Sequence, residues 1–187
     1  AVQVQDLVRI KGSETSKLVG FGLVFGLRGT GDGGKFLPAM RPLAAVVQTL
    51  IDPATGAAEL KDTKNVALVA MSATLPATGV REGDRVDVYL SCVGPAKSLE
   101  GGRLFLIPMT GPLPGSPTYA YAEGTVAIED TNAPTVGVVK NGAQLTRDVA
   151  TQYIDKAGRI TLVINDSVAS WPMSHNLASH INGVMAP

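Results

Sequence analysis

The chain has 187 residues, of which 45% are hydrophobic and 17% are charged. This balance excludes an intrinsically disordered protein, because disorder requires low hydrophobicity together with a high net charge. The sixteen basic and sixteen acidic residues form no basic tract, so we expect no nucleic-acid partner. The single cysteine, Cys92, excludes a disulfide or a multi-cysteine zinc site within these residues.

The first third of the chain is rich in glycine and predicts two strands followed by a helix. Residues 7–10 form a short strand-like run, and residues 18–27 are apolar apart from glycines, which often mark bulges or close backbone approach. After a loop at 29–34, we expect a helix with Pro42 in its first turn and Asp52-Pro53 at its end. Its apolar face has helical spacing and consists of Met40, Leu43, Ala44, Val47, Leu50 and Ile51.

The middle of the chain predicts a meander of antiparallel strands. Short apolar or alternating runs occupy residues 66–75, 85–93, 103–109 and 119–128, with Pro- and Gly-rich segments, such as 108–117, between them. The clearest alternation places Val86, Val88, Leu90 and Cys92 on one face of a strand. Strands with one early helix packed on them make an α+β fold, and we assign this core to residues 1–149.

Residues 150–187 predict the start of a second small α/β unit. A strand over 159–165 precedes an amphipathic helix, with Ser170 as the N-cap and Pro172 in the first turn. The apolar face of this helix consists of Met173, Leu177, Ile181 and Val184. We expect the unit to be truncated, because a strand followed by a helix is normally completed by a further strand.

One segment partly satisfies a phosphate-binding motif. Residues 29–35 (GTGDGGK) have the G-x-x-x-x-G-K spacing of a P-loop. Phe36 stands where a Ser or Thr hydroxyl would hold magnesium, and Pro38 delays the helix whose N-terminus would meet the phosphates. A glycine-rich connection is therefore the favoured interpretation, with nucleotide binding as an alternative. The spacing of Gly20, Gly22 and Gly26 is one residue too long for a dinucleotide-binding fingerprint.

No set of residues predicts catalysis, a metal site or a cofactor. His175 and His180, the only histidines, point about 140° apart on a helix and cannot share a metal. Cys92 is expected on an apolar strand face, where a thiol is usually inert. We therefore expect a protein that is not an enzyme. A second alternative is a periplasmic glycan-binding module in which Tyr119, Tyr121 and Trp171 stack on sugars.

Several motifs, taken together and in order, resemble those of the bacterial flagellar P-ring protein family. They are residues 18–32 (LVGFGLVFGLRGTGD), 63–67 (TKNVA), 85–88 (RVDV), 96–104 (AKSLEGGRL), 120–124, 134–137 and 141–143. The resemblance extends from about residue 8 to residue 149, and more loosely over 159–184. The segments 51–62 and 111–118 depart from the family pattern.

The resemblance implies the N-terminal portion of a non-enzymatic structural protein of the flagellar basal body. Such a protein assembles in the periplasm into a homo-oligomeric ring, a bushing that supports the rotating rod. Its implied partners are further copies of itself, the rod, the outer-membrane L-ring, a periplasmic assembly chaperone and peptidoglycan.

The resemblance also implies roles for particular residues. Lys64 and Lys97 match family lysines that face the rod. We expect a packing or subunit-contact role for one further set, because glycine allows close backbone approach. This set is Gly20, Gly22, Gly26, Gly29, Gly31 and Asp32.

Overall fold

A computed structural model of the chain describes residues 3–33, 36–50 and 62–185. The described residues form two compact units, one over residues 16–149 and a smaller one made of residues 3–15 and 150–185. In chain order the elements are α1 (Val4–Leu7), β1 (Val8–Ile10), β2 (Ser16–Phe25), α2 (Leu37–Leu50), β3 (Val66–Leu75), β4 (Arg85–Cys92), β5 (Arg103–Thr110), β6 (Thr118–Thr125), β7 (Val136–Leu145), β8 (Leu162–Ile164) and α3 (Trp171–Met185). Among these elements, no helix has the length and apolarity needed to cross a membrane.

The larger unit is a closed barrel of six antiparallel strands in the order β2-β3-β4-β7-β6-β5. The longest pairing joins β2 to β3, from Ser16↔Leu75 to Phe25↔Val66, and β5 closes the barrel against β2. Closure leaves the sheet without an exposed edge strand. The α+β class with mostly antiparallel strands is thereby confirmed.

The barrel interior is filled by the residues that alternation predicts. Val88 and Leu90 of β4 are fully buried, and Ala120 and Ala122 of β6 are buried while Tyr121 between them is exposed. Alanine is frequent inside because a barrel of only six strands has little interior space. The fully buried alanines of the strands are Ala67, Ala73, Ala120, Ala122 and Ala143.

Helix α2 packs on the outside of the barrel through a second apolar cluster. Its buried residues Ala39, Met40 and Leu43 join Leu23 of β2 and Val66 of β3. The helix begins at Leu37, so the expectation that Pro42 lies in its first turn is wrong, and Pro38 occupies that turn instead. The predicted stop at Asp52-Pro53, together with Ile51, lies outside the described residues.

Two segments differ from the sequence-based expectation. Strand β5 continues through Pro108 to Thr110, so the loop predicted over 108–117 begins at Gly111. Strand β7 was not predicted, because Lys140-Asn141-Gly142 interrupts its apolar pattern. These residues lie at a shift in the β4–β7 register, where Asn141 has a φ of 50°, and the chain bulges without leaving the barrel.

The smaller unit joins two distant parts of the chain. Strand β1 pairs antiparallel with β8, from Val8↔Ile164 to Ile10↔Leu162, so residues 8–10 pair here and not in the barrel. The Ser170 hydroxyl accepts a hydrogen bond from the Met173 N–H at 3.2 Å, which confirms the predicted N-cap of α3. The apolar face of α3 ends earlier than predicted, because Val184 is exposed.

Candidate functional site

Both predicted lysines and most of the predicted glycines lie at one end of the barrel. Lys64 precedes β3, and Lys97 follows β4 in the β4–β5 loop. In an antiparallel pair, one strand ends at the edge of the sheet where its neighbour begins. These two positions therefore lie at the same end of the barrel as the loop that follows β2, residues 26–33. We call this end of the barrel the lysine end.

A single peptide group holds the backbones of the two lysines together. The Lys97 N–H donates to the Thr30 carbonyl at 2.7 Å, and the N–H of Gly31 donates to the Lys64 carbonyl at 2.8 Å. The Thr30 carbonyl and the Gly31 N–H belong to the same planar peptide, so the Lys97 nitrogen and the Lys64 oxygen lie at most about 8 Å apart. The Thr30 hydroxyl adds a bond to the Ser98 carbonyl at 3.0 Å. The spacing of the two lysines is therefore set by main-chain hydrogen bonds.

Asp32 fixes the same loop from inside the protein. Its side chain is completely buried, and its carboxylate accepts hydrogen bonds from the Leu68 N–H at 2.7 Å and the Ala96 N–H at 2.9 Å. Its own N–H donates to the Val66 carbonyl at 2.7 Å. Pairing between β3 and β4 ends at Val69↔Cys92, so the carboxylate satisfies an amide that β4 no longer reaches. Asp32 thus joins the β2–α2 loop to β3 and to the loop that carries Lys97.

Glycine is required at two positions beside this carboxylate. A Cβ atom on Gly31 would overlap the Val66 carbonyl oxygen and lie 2.7 Å from the Lys64 carbonyl oxygen. A Cβ on Gly94 would overlap the Asp32 carboxylate and lie 2.6 Å from the Phe36 ring. Gly94 is not among the residues predicted from the sequence, although the Gly-Pro pair it forms with Pro95 is a turn signal.

The other predicted glycines have different surroundings. Gly29 and Gly26 have φ angles of 79° and 82°; a Cβ atom on Gly29 would have no neighbour within 4 Å, and one on Gly26 would meet only the Gly101 carbonyl oxygen at 4.0 Å. Glycine is therefore needed at these two positions for the backbone conformation of the loop and not for space. Gly20 and Gly22 lie within β2, where an added Cβ would contact the side chain of Met71 at 2.9 and 3.1 Å. These two glycines allow a bulky core residue to lie against the strand.

Exposed cations surround the loop at the lysine end. Lys64, Lys97 and Arg28 are exposed, and none of the ion pairs among the described residues includes them. Contacts of such exposed charges with an anionic partner would be screened by salt. At the end of β4, burial raises the pKa of the Cys92 thiol to about 11, and the negative charge of Asp32 adds to the effect.

The described geometry does not favour nucleotide binding at residues 29–35. A P-loop presents free backbone N–H groups to phosphates, whereas those of Gly31 and Asp32 already donate to Lys64 and Val66. Gly34 and Lys35 lie outside the described residues. No group of three or more metal-binding side chains occurs in the described part of the chain, where His175 and His180 are exposed on α3.

The three aromatic residues of the glycan-binding alternative do not form one platform in the larger unit. Tyr121 is exposed on β6, but Tyr119 is half-buried, with the Arg147 guanidinium 5.7 Å from its ring centroid. Trp171 lies in the smaller unit at the start of α3. Tyr121 alone remains open for stacking on β6.

The larger unit is thus a closed six-stranded antiparallel barrel with a hydrogen-bonded loop and exposed cations at one end. The chain belongs to the flagellar P-ring protein family, whose sequence model matches residues 3–187. The family resemblance drawn from the sequence motifs is therefore confirmed.

Individual relatives agree with the family match. The flagellar P-ring protein of Wolinella succinogenes is 36% identical over 165 residues, covering 84% of this chain and 46% of the relative. That of Aquifex aeolicus is 37% identical over 161 residues, covering 79% and 42%. Flagellar P-ring protein 1 of Hahella chejuensis is 31% identical over 198 residues, covering 100% and 51%. The chain thus spans about half the length of these curated relatives.

Proposed function

We propose that this chain is part of a ring component of the flagellar basal body, located in the periplasm. It assembles with copies of itself into a bushing around the rod and has no catalytic role. The family match over residues 3–187 supports the basal-body assignment. Partners of the assembled ring in this proposal are the rod, the L-ring, the assembly chaperone and peptidoglycan.

Within this function, the lysine end of the barrel faces the rod. The observation that carries this assignment is the Thr30–Gly31 peptide, which hydrogen-bonds to the backbones of both Lys64 and Lys97. Two exposed ammonium groups on a fixed backbone present a constant positive charge to a partner. Each exposed charge pair contributes only about 0–1 kcal/mol, which suits a surface that must hold a turning shaft without locking it.

Charge removal at the two lysines tests the rod-facing assignment. A strain lacking the gene is complemented with the full-length protein carrying Lys64→Ala and Lys97→Ala together. We expect rings to assemble, because both substitutions leave the main-chain hydrogen bonds in place, and swimming in soft agar to be slower than with the unsubstituted protein.

The matched control replaces two other exposed lysines, Lys11→Ala and Lys156→Ala, which lie in the smaller unit. This control should swim like the unsubstituted protein. Equal swimming of the two double variants, with equal numbers of rings, would remove the proposed rod-facing role of Lys64 and Lys97.

A further inference from the structure

Exposed apolar side chains are concentrated on the outside of three adjacent strands, β2, β5 and β6. We call this surface the β5 face; it consists of Val19, Phe21, Phe105, Leu106, Pro108 and Tyr121. Pro108 pairs directly with Tyr121, and the Pro108 carbonyl oxygen lies 3.2 Å from the Cβ position of Gly20, next to Phe21. The apolar surface therefore continues across all three strands.

The size of the β5 face suits one side of a protein interface. Phe21, Phe105 and Tyr121 are 68, 40 and 43% exposed. With about 200 Å² for each aromatic side chain, the three leave roughly 300 Å² of ring surface in water. Leu106, which is 52% exposed, extends the face into a groove of about 460 Å³ beside α2. A standard interface buries about 800 Å² per partner, so the rings alone supply more than a third of one side.

A second, different surface lies on the opposite side of the barrel. In the closed strand order, β4 is three strands from β5 in both directions. We call the outer surface of β4 and its neighbourhood the β4 face; it consists of Asp87, Tyr89, Val93, Glu129, Val136 and Lys140. Lys140 lies 2.7 Å from the Glu129 carboxylate and 3.6 Å from that of Asp87. Tyr89, which is 48% exposed, lies two residues from Asp87 along β4, and Val93, also 48% exposed, directly follows the strand.

The charges around each of the two faces balance. The β4 face carries two carboxylates and two cations, namely Asp87, Glu129, Lys140 and Arg85, which alternates with Asp87 on the outer side of β4. The β5 face is bordered by Lys17, Arg103, Glu123 and Glu82, which lines a groove with Leu106 and Tyr121. Neither face therefore opposes the other with a net charge. Two unlike surfaces on opposite sides of a subunit allow head-to-tail association, which generates a ring where the rotation between copies closes.

We infer that the β5 face of one copy packs against the β4 face of the next copy. The inference rests on the ring assembly proposed above and assigns the surfaces that form it. The central anchors are Phe21, Leu106 and Tyr121 on one side, and Tyr89 with its neighbouring apolar residues on the other. Tyrosine is among the residue types that most often dominate the binding energy of protein interfaces, so Tyr121 and Tyr89 are the anchors expected to contribute most.

Disulfide cross-linking in cells tests this contact. The full-length protein carries Cys92→Ala, with any cysteine beyond these residues also replaced, and receives Leu106→Cys and Tyr89→Cys together. After mild oxidation, we expect a ladder of disulfide-linked oligomers at least tenfold stronger than with either cysteine alone. In the matched control, Leu113→Cys takes the place of Leu106→Cys beside Tyr89→Cys. Leu113 is 74% exposed in the β5–β6 loop, so this control should give no ladder.

Other cross-linking results would overturn the inference. Dimers from Leu106→Cys alone would mean that two β5 faces meet each other. A cross-link from Leu106→Cys to a different protein, or no ladder from the double variant, would mean that another partner or solvent covers this face.

A second measurement separates this inference from the proposed function. Leu106→Glu and the control Leu113→Glu are each used to complement the deletion strain, after thermal unfolding has shown that both proteins fold. We expect the ring to be lost only with Leu106→Glu. If the unsubstituted protein restores rings and Leu106→Glu restores them equally, the interface is wrong but the proposed function stands. If the unsubstituted protein restores no ring, the proposed function fails.

Discussion

Replacement of Asp32 by alanine should destabilise the barrel more than any change at an exposed carboxylate. The Asp32 side chain is completely buried and accepts hydrogen bonds from the N–H groups of Leu68 and Ala96. A hydrogen bond to a charged group contributes about 1.5–3 kcal/mol, and a buried donor left without a partner costs about 1–3 kcal/mol. Burying the carboxylate itself costs part of this gain. We therefore expect Asp32→Ala to lower the free energy of unfolding by about 2–4 kcal/mol.

Thermal unfolding and hydrogen exchange measure this effect. For a chain of this size, the loss corresponds to a fall in Tm of roughly 5–15 °C. The amides of Leu68 and Ala96 should lose protection from exchange, while the amide of Val88 in the middle of β4 keeps it.

The control is Asp84→Ala, because the Asp84 carboxylate also accepts a backbone hydrogen bond, from the Arg81 N–H at 2.8 Å, but is exposed. We expect it to cost less than about 1 kcal/mol. If Asp32→Ala and Asp84→Ala are equally stable and Leu68 stays protected, the role assigned to the buried carboxylate is wrong.

Three further predictions concern Gly31, Cys92 and Ser170. Gly31→Ala should lower the free energy of unfolding, measured by chemical denaturation, by about 2–4 kcal/mol, because the added Cβ would overlap backbone atoms. Gly29→Ala is strained only by its positive φ and should lower it by about 1–2 kcal/mol, so equal losses would contradict this order. With a pKa near 11 in place of 9.0, Cys92 should carry roughly one hundredth of the usual thiolate fraction at pH 8 and react correspondingly slowly with a thiol reagent; rapid labelling of the folded protein would refute this. Because the folded state holds the thiol proton more tightly than the unfolded state, the protein should lose stability from above pH 9 through pH 11, and Cys92→Ser should remove that loss. Ser170→Ala removes the N-cap of α3 and should destabilise that helix by about 0.5–2 kcal/mol, detected as faster exchange of the Met173 amide; an unchanged rate would contradict the capping role.

Regular alternation and helical spacing made much of the fold predictable from the sequence. Strand β3 has the predicted limits of Val66–Leu75, and β4 buries the predicted face around Val88 and Leu90. In both cases the information is local, because a period of two places every second side chain in the core. Strand β7 was missed because the bulge at Asn141 breaks that period.

The closed barrel and the construction of the site depend on residues far apart in the chain. Closure requires β2 to pair with β5, about eighty residues later, and no local pattern encodes that register. The motif that contains Asp32 was recognised, but its partners, the N–H groups of Leu68 and Ala96, are backbone atoms that every residue type except proline possesses. The sequence could therefore indicate Asp32 and Gly31 as candidates without showing which atoms they contact.

The most direct test of the proposed ring function is electron cryotomography of flagellar motors in cells that lack this gene. The account predicts that the periplasmic disc around the rod disappears on deletion and returns when the full-length gene is restored. A disc of unchanged size and occupancy in the deletion strain would contradict the account.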